Sequence, residues 1–206
     1  MSRWYSHKFH IERKDPASTR WWTDLFLFDT VVRDCLLAVK NDLIMWRVHR
    51  RAADDASGHR FSFIYYASPE VFKRVKSSMN NHESANIIRD SGILLDLLHN
   101  EEGLEIESTC DPSWPLSLRK SWPYYIMGVS QMALDLIENL RTSPRPALDI
   151  SSIHQQELYY TQLMIKQKEV WQNWGSTAFF HHINAIFGYE PLIAQPRGFL
   201  GILASF

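Results

Sequence analysis

Hydrophobic and polar positions alternate over residues 4–11. Tyr5, His7, Phe9 and Ile11 share one side and Ser6, Lys8 and His10 the other, the two-residue period of a half-buried strand. Asp15 followed by Pro16 reads as an N-cap with proline at the first helical position. Behind it Trp22, Leu25, Phe26, Val32, Leu36 and Val39 recur at helical spacing, predicting a helix that ends near Lys40. Over 43–51 the period returns to two, with Ile44, Trp46 and Val48 set against Met45, Arg47, His49 and Arg51. Asp54, Asp55, Ser57 and Gly58 supply turn chemistry before the β-rich run HRFSFIYYA, so these two runs read as a hairpin. Ser68, Pro69 and Glu70 open a further helix whose apolar face holds Val71, Phe72 and Val75. A helical piece over 87–98 then precedes Gly103 and a short strand over 104–109.

This β-α-β-β-α-β succession predicts an α+β protein with a ferredoxin-like antiparallel sheet domain over residues 1–110. Beyond Asp111 and Pro112 the spacing is helical over 122–140, 152–174 and 177–187, broken by the Ser-Pro-Arg-Pro run at 143–146 and by Gly175. Residues 111–206 are therefore expected to form a helical annex packed on the sheet domain as one unit. The tail GFLGILASF is apolar but too short to cross a bilayer, and is expected to dock on the body or on a partner.

Composition narrows the function classes. Lys and Arg number 22 against 23 Asp and Glu, so a net charge of -1 exerts no global pull toward nucleic acid or anionic membrane, and neither is the expected partner. The opening MSRWYSHKFHIERKD lacks the apolar stretch of a secretory signal, and with no long uncharged apolar run a cytoplasmic location is expected. Cys35 and Cys110 are the only cysteines, which favours reduced thiols over a disulfide framework or zinc site. Glycine-rich phosphate loops, G-x-S-x-G and H-E-x-x-H are absent, and no cofactor is expected. His7 and His10 face opposite sides of a strand, and His181 and His182 diverge by about 100° on a helix, so no metal site is expected from either pair.

Strand parity places Lys8, His10, Arg47, His49, Arg51, Arg60 and Tyr66 together on the sheet face away from the apolar side. That face is cationic, countered by Glu105 and Glu107 on the expected fourth strand. It reads as a solvated or helix-covered surface, or as an anion site formed by Lys8, His10, Arg47, His49, Arg60 and Tyr66. In the second case Arg47 or Arg60 would hold a carboxylate bidentately and His10 or His49 would tune it with pH. Phe61, Ser62, Phe63, Ile64 and Tyr66 partly match an RNA-recognition strand, yet parity turns Phe61, Phe63 and Tyr65 to the buried side, where no base can stack. Residues 114–125, WPLSLRKSWPYY, read as a rigid connector packed on the sheet, or as a segment that grips a ligand or partner. Helix 157–174 carries Tyr159, Tyr160, Trp171 and Trp174, more aromatic surface than a lone helix needs. These four are the candidate surface for a second copy or another protein.

The order WYSHKFHIE, long helix, WRVHRR and GHRFSFIYYAS resembles the C-terminal domains of lantibiotic-dehydratase-type and thiopeptide-biosynthesis proteins over about the first third of the chain. The resemblance implies work on a peptide substrate. It rests on pattern without the repeated Arg–aromatic pairs of those hairpins, and no family is assigned from it. Aromatic surplus without a catalytic signature favours a binding or accessory protein that holds a partner, an anionic small molecule or a peptide. The competing class is an enzyme acting on a small molecule or peptide with His10, Arg47 and His49 as its working cluster.

Overall fold

A computed structural model describes residues 1–13, 15, 19–51 and 58–189. Pro16, the turn residues Asp54, Asp55 and Ser57, and the tail at 198–206 lie outside them. The fold is α+β: a four-stranded antiparallel sheet in the order β2-β3-β1-β4, with several helices. The strands are β1 (Arg3–Ile11), β2 (Met45–Arg50), β3 (His59–Ala67) and β4 (Leu94–Glu101). The chain divides into two compact units, Met1–Met164 and Ile165–Phe206.

In the first unit, β1 is flanked by β3 and β4, with Phe9 opposite both Phe61 and Leu97. Tyr5, Phe9, Ile11, Phe61, Phe63 and Tyr65 are buried on one face, as alternation requires. Helical residues Trp22, Leu25, Phe26, Val31 and Val32 belong to the same core. They lie on α1 (Trp21–Leu27), a π-helical turn (Phe28–Val32) and α2 (Arg33–Val39). α3 (Pro69–Asn80) starts where the sequence indicates, with Ser68 Oγ accepting from the Val71 amide and proline in the first turn.

Four sequence expectations fail here, the first being the helix start read from Asp15 and Pro16: α1 begins at Trp21, with Arg20 at its N-cap. The fourth strand is Leu94–Glu101 rather than 104–109, and the helix expected over 87–98 is the shorter α4, Glu83–Asp90. Gly92, at φ +74°, turns the chain out of α4. The run Ile93, Leu94, Leu95, Leu97, Leu98 is apolar on both sides, a pattern that fits either element until pairing with β1 decides it. α5 (Leu116–Asn139) begins six residues before the expected 122, so most of the supposed connector is helix, with Pro123 inside it. Proline has no amide to offer the carbonyl four residues back. Cys110 Sγ donates to that Arg119 carbonyl instead, at 3.2 Å.

The π-helical turn carries Asp29, which has no exposure to water. Arg33 Nε donates to its Oδ1 at 3.0 Å, an Arg141 guanidinium nitrogen reaches the same oxygen, and the Tyr160 hydroxyl donates to Oδ2 at 2.8 Å. Glu138, near the end of α5, shares Arg33 and Arg141, at 3.3 and 2.5 Å. Tyr160 lies on α6 (Ile153–Trp174), so one carboxylate joins the first helix, the end of α5 and the start of α6.

In the second unit the described chain continues through the end of α6, a π-helical segment (Gly175–His181) and α7 (His182–Ile186). Trp171 packs there against Phe179 and Phe180, with ring centroids 5.9 and 5.7 Å apart. Among the described residues no helix is long and apolar enough to cross a membrane.

Replacing Asp29 with alanine strands buried guanidinium groups and is expected to cost about 3–5 kcal/mol of stability in urea unfolding. Tyr160→Phe removes one charged hydrogen bond and is expected to cost about 1.5–3 kcal/mol. A loss from Asp29→Ala no larger than that from Tyr160→Phe would show that Asp29 is not the hub.

Candidate functional site

The register places Lys8 opposite Ser62, His10 opposite Arg60, Arg47 opposite Ile64 and His49 opposite Ser62, while Trp4 and Met45 both face Tyr66. All six sequence-derived candidates thus share one sheet face, but that face is divided. Over one half lies the segment after β4. Trp4 Nε1 donates to the carbonyls of Glu105 and Ile106 at 3.1 and 2.9 Å, and the Tyr66 hydroxyl to that of Leu104 at 2.8 Å. Trp4, Met45 and Ile64 form a small apolar cluster beneath it, joined by Ile106 and by Met127 of α5.

Arg47 belongs to this covered half. Its Nε and one terminal nitrogen donate to Thr109 Oγ1 at 3.2 and 3.1 Å, and the latter also reaches the Thr109 carbonyl at 3.3 Å. Burial lowers the affinity of this guanidinium for its proton. Its partners are neutral oxygens of a 3₁₀ turn (Ile106–Thr109), where Glu107 was expected to sit on a strand as a countercharge. The Lys8 ammonium instead pairs with Glu102, at 3.2 Å.

The other half is more open. Lys8, His10 and Arg60 are half-buried and His49 is exposed, with Asp96 and Leu98 of β4 opposite His10 and Lys8. Arg60 Nε is buried without a hydrogen-bond partner. His10 lies against Gly58, whose absent side chain leaves room for the imidazole: a Cβ there would stand 3.4 Å from Nε2. His10 and His49 sit on strands that run about 9–10 Å apart with β3 between them, and they are offset by two residues along the sheet. With Arg47 turned to Thr109, the trio His10, Arg47 and His49 is not gathered around one point.

Of the expected partner surface, Trp171 and Trp174 are 50% and 62% exposed, both in the second unit. Tyr159 is half-buried, with its hydroxyl donating to the Ser143 carbonyl at 3.3 Å. Tyr160 is not surface at all: the Asp29 carboxylate draws it fully into the core.

Two buried polar constellations escape sequence reasoning. Asp24, within α1, accepts from His59 Nε2 at 2.8 Å and from Arg50 Nε at 2.6 Å, while the Arg50 guanidinium lies 5.2 Å over the Trp21 ring. The visible signal was an acid within the apolar run of a helix. The second is a directed chain across the core. His99 Nε2 donates to Asn80 Oδ1 at 2.9 Å, which leaves His99 Nδ1 to accept from His7 Nδ1, and His7 Nε2 to accept from the Tyr65 hydroxyl at 2.8 Å. Burial, with His99 and Lys76 adding to it, lowers the His7 pKa to about 3. Burial also raises the neighbouring Cys35 thiol to about 11, so that buried thiol is no nucleophile at neutral pH. Among the described residues no three His, Cys, Asp or Glu side chains gather as metal ligands.

No family model and no curated protein matches the chain. Among solved structures it is similar to one described as the crystal structure of TsrL. The identity is 14% and the TM-score 0.43, with 96% of this chain and 52% of that one covered, so this chain spans about half of that protein's length.

Arg47→Ala is expected to lower stability by about 1–3 kcal/mol through the unpaired Thr109 oxygens. An unchanged thermal midpoint would place Arg47 outside the structural framework. The folded chain keeps His7 neutral down to about pH 3, whereas the unfolded chain takes up that proton near pH 6.5. Stability held in full above pH 6.5 is therefore expected to fall as pH drops toward 3, with a slope of up to about 1.4 kcal/mol per pH unit from this group. His7→Phe should flatten that slope; an unaltered acid limb would assign it to other residues.

Proposed function

We propose that this is a non-catalytic binding or accessory protein that holds an anionic group of a ligand or partner on the open half of its sheet face. The observation that supports this reading most directly is Arg60, half-buried opposite His10 and without an ion-pair partner among the described residues. Such a guanidinium suits a carboxylate or phosphate, and Lys8 two residues along β1 adds long-range attraction. A ferredoxin-like domain over residues 1–110 is part of the proposal, supported by the order β2-β3-β1-β4 with helices between β1 and β2 and between β3 and β4. Association with a second copy or another protein is assigned to Trp171 and Trp174, whose exposure leaves apolar area to cover. A reducing, cytoplasmic setting suits the two free thiols.

Titration with hexaglutamate, followed by amide chemical shifts, is expected to move the signals of His10, Ser62 and Arg60. Arg60→Ala should weaken binding about tenfold, the loss of one charge-assisted contact. Shifts confined to other surfaces, or equal affinity of the variant, would sink the proposal. Light scattering should show self-association that Trp171→Ala with Trp174→Ala reduces, and a monomer at high concentration would remove that part of it.

A further inference from the structure

The first unit also holds a cleft, separate from the sheet face. This cleft of about 480 Å³ opens between α2, the start of α4 and the connector at 141–149, and Leu148 is its one apolar lining residue among those described. Its charges come from three elements: Asp34 on α2, Glu83 in the first turn of α4, and Arg145 on the connector.

Arg145 is the surplus member of the Asp29 cluster. Two carboxylates there, Asp29 and Glu138, face three guanidinium groups, Arg33, Arg141 and Arg145, leaving one positive charge in excess. Arg145 is held by a 3.7 Å ion pair to Asp29 Oδ2 and a 3.3 Å donation to the Asp29 carbonyl, and at 39% it is the most exposed of the three, so that excess lies at the cleft wall. On the acidic side, Asp34 is 56% exposed, and its one ion-pair partner among the described residues is His82, at 3.2 Å, which lines the same cleft. Ser84, which lines the same cleft, has a buried hydroxyl without a hydrogen-bond partner.

We infer that this cleft binds a free basic amino acid of the lysine type. Its carboxylate sits on Arg145 and its two ammonium groups on Asp34 and Glu83. One cation and two carboxylates complement a ligand with one carboxylate and two cations, and the polar lining replaces the water such a ligand gives up. The volume accommodates an extended side chain of that length. No covalent step is involved, and the inference stands independently of the open sheet face.

The test uses the full chain and calorimetric or chemical-shift titration with L-lysine. Two controls each lack one charge: 1,5-diaminopentane has no carboxylate and norleucine no side-chain ammonium. Lysine is expected to bind about tenfold more tightly than either, one charge-assisted contact in each comparison. Asp34→Asn, at an exposed position, should weaken lysine several-fold while leaving the thermal midpoint in place. Arg145→Gln should bring lysine down to the affinity of diaminopentane. Should Arg145→Gln fail to fold, the Asp34→Asn result together with the two controls decides the matter. Equal affinity for all three compounds, no shift of cleft residues at lysine concentrations on the order of 10 mM, or unchanged lysine affinity in Asp34→Asn would overturn the inference.

Discussion

A carboxylate sealed from water needs positive charge and hydrogen-bond donors in place of its hydration, and Asp29 finds both in groups from distant parts of the sequence. Arg33 comes from the same helix, four residues on, but Arg141, Arg145 and Tyr160 arrive from beyond the sheet. The connector after α5 and the start of α6 therefore have one low-energy placement against the first helix. Apolar contacts alone would tolerate several. The hub is better understood as a specifier of that placement than as a net source of stability, because a buried ionic cluster gives back in desolvation much of what it gains in attraction.

Local signals explain how much of the fold was legible. Ser68 with Pro69 marks the start of α3, although the like pair Asp15 and Pro16 does not mark the start of α1, and alternation in Tyr5 to Ile11 and Phe61 to Tyr65 sorts the sheet faces without knowledge of partners. Features decided at long range were not legible. The apolar stretch after Gly92 becomes a strand only because β1 has an unfilled edge. Pro123 is tolerated within α5 because a thiol from a preceding turn takes up the freed carbonyl. Tyr160 looked like partner surface because nothing near it in sequence names Asp29.

The candidate site shows the same division. Parity alone identified which residues share the cationic face, and the register agrees for all six. It could not say which of them the chain would use for its own construction. Arg47 and Tyr66 are spent on pinning the segment after β4, a segment read as part of the sheet itself. Arg60 and His10 lie farther along the sheet, away from that cover.

The π-helical turn at Phe28–Val32 has a consequence of its own. A helix advances about 100° per residue, so a turn that holds one residue more than usual shifts the phase of everything after it. Every residue from Trp22 to Val32 is buried, so the offset matters for the later half, where Cys35, Leu36 and Val39 face the core and Asp34, Leu37 and Ala38 are exposed. The wide turn sets which side of that later half meets the core. Removing a single residue from it would rotate the second half by roughly a quarter turn and carry that apolar stripe toward water.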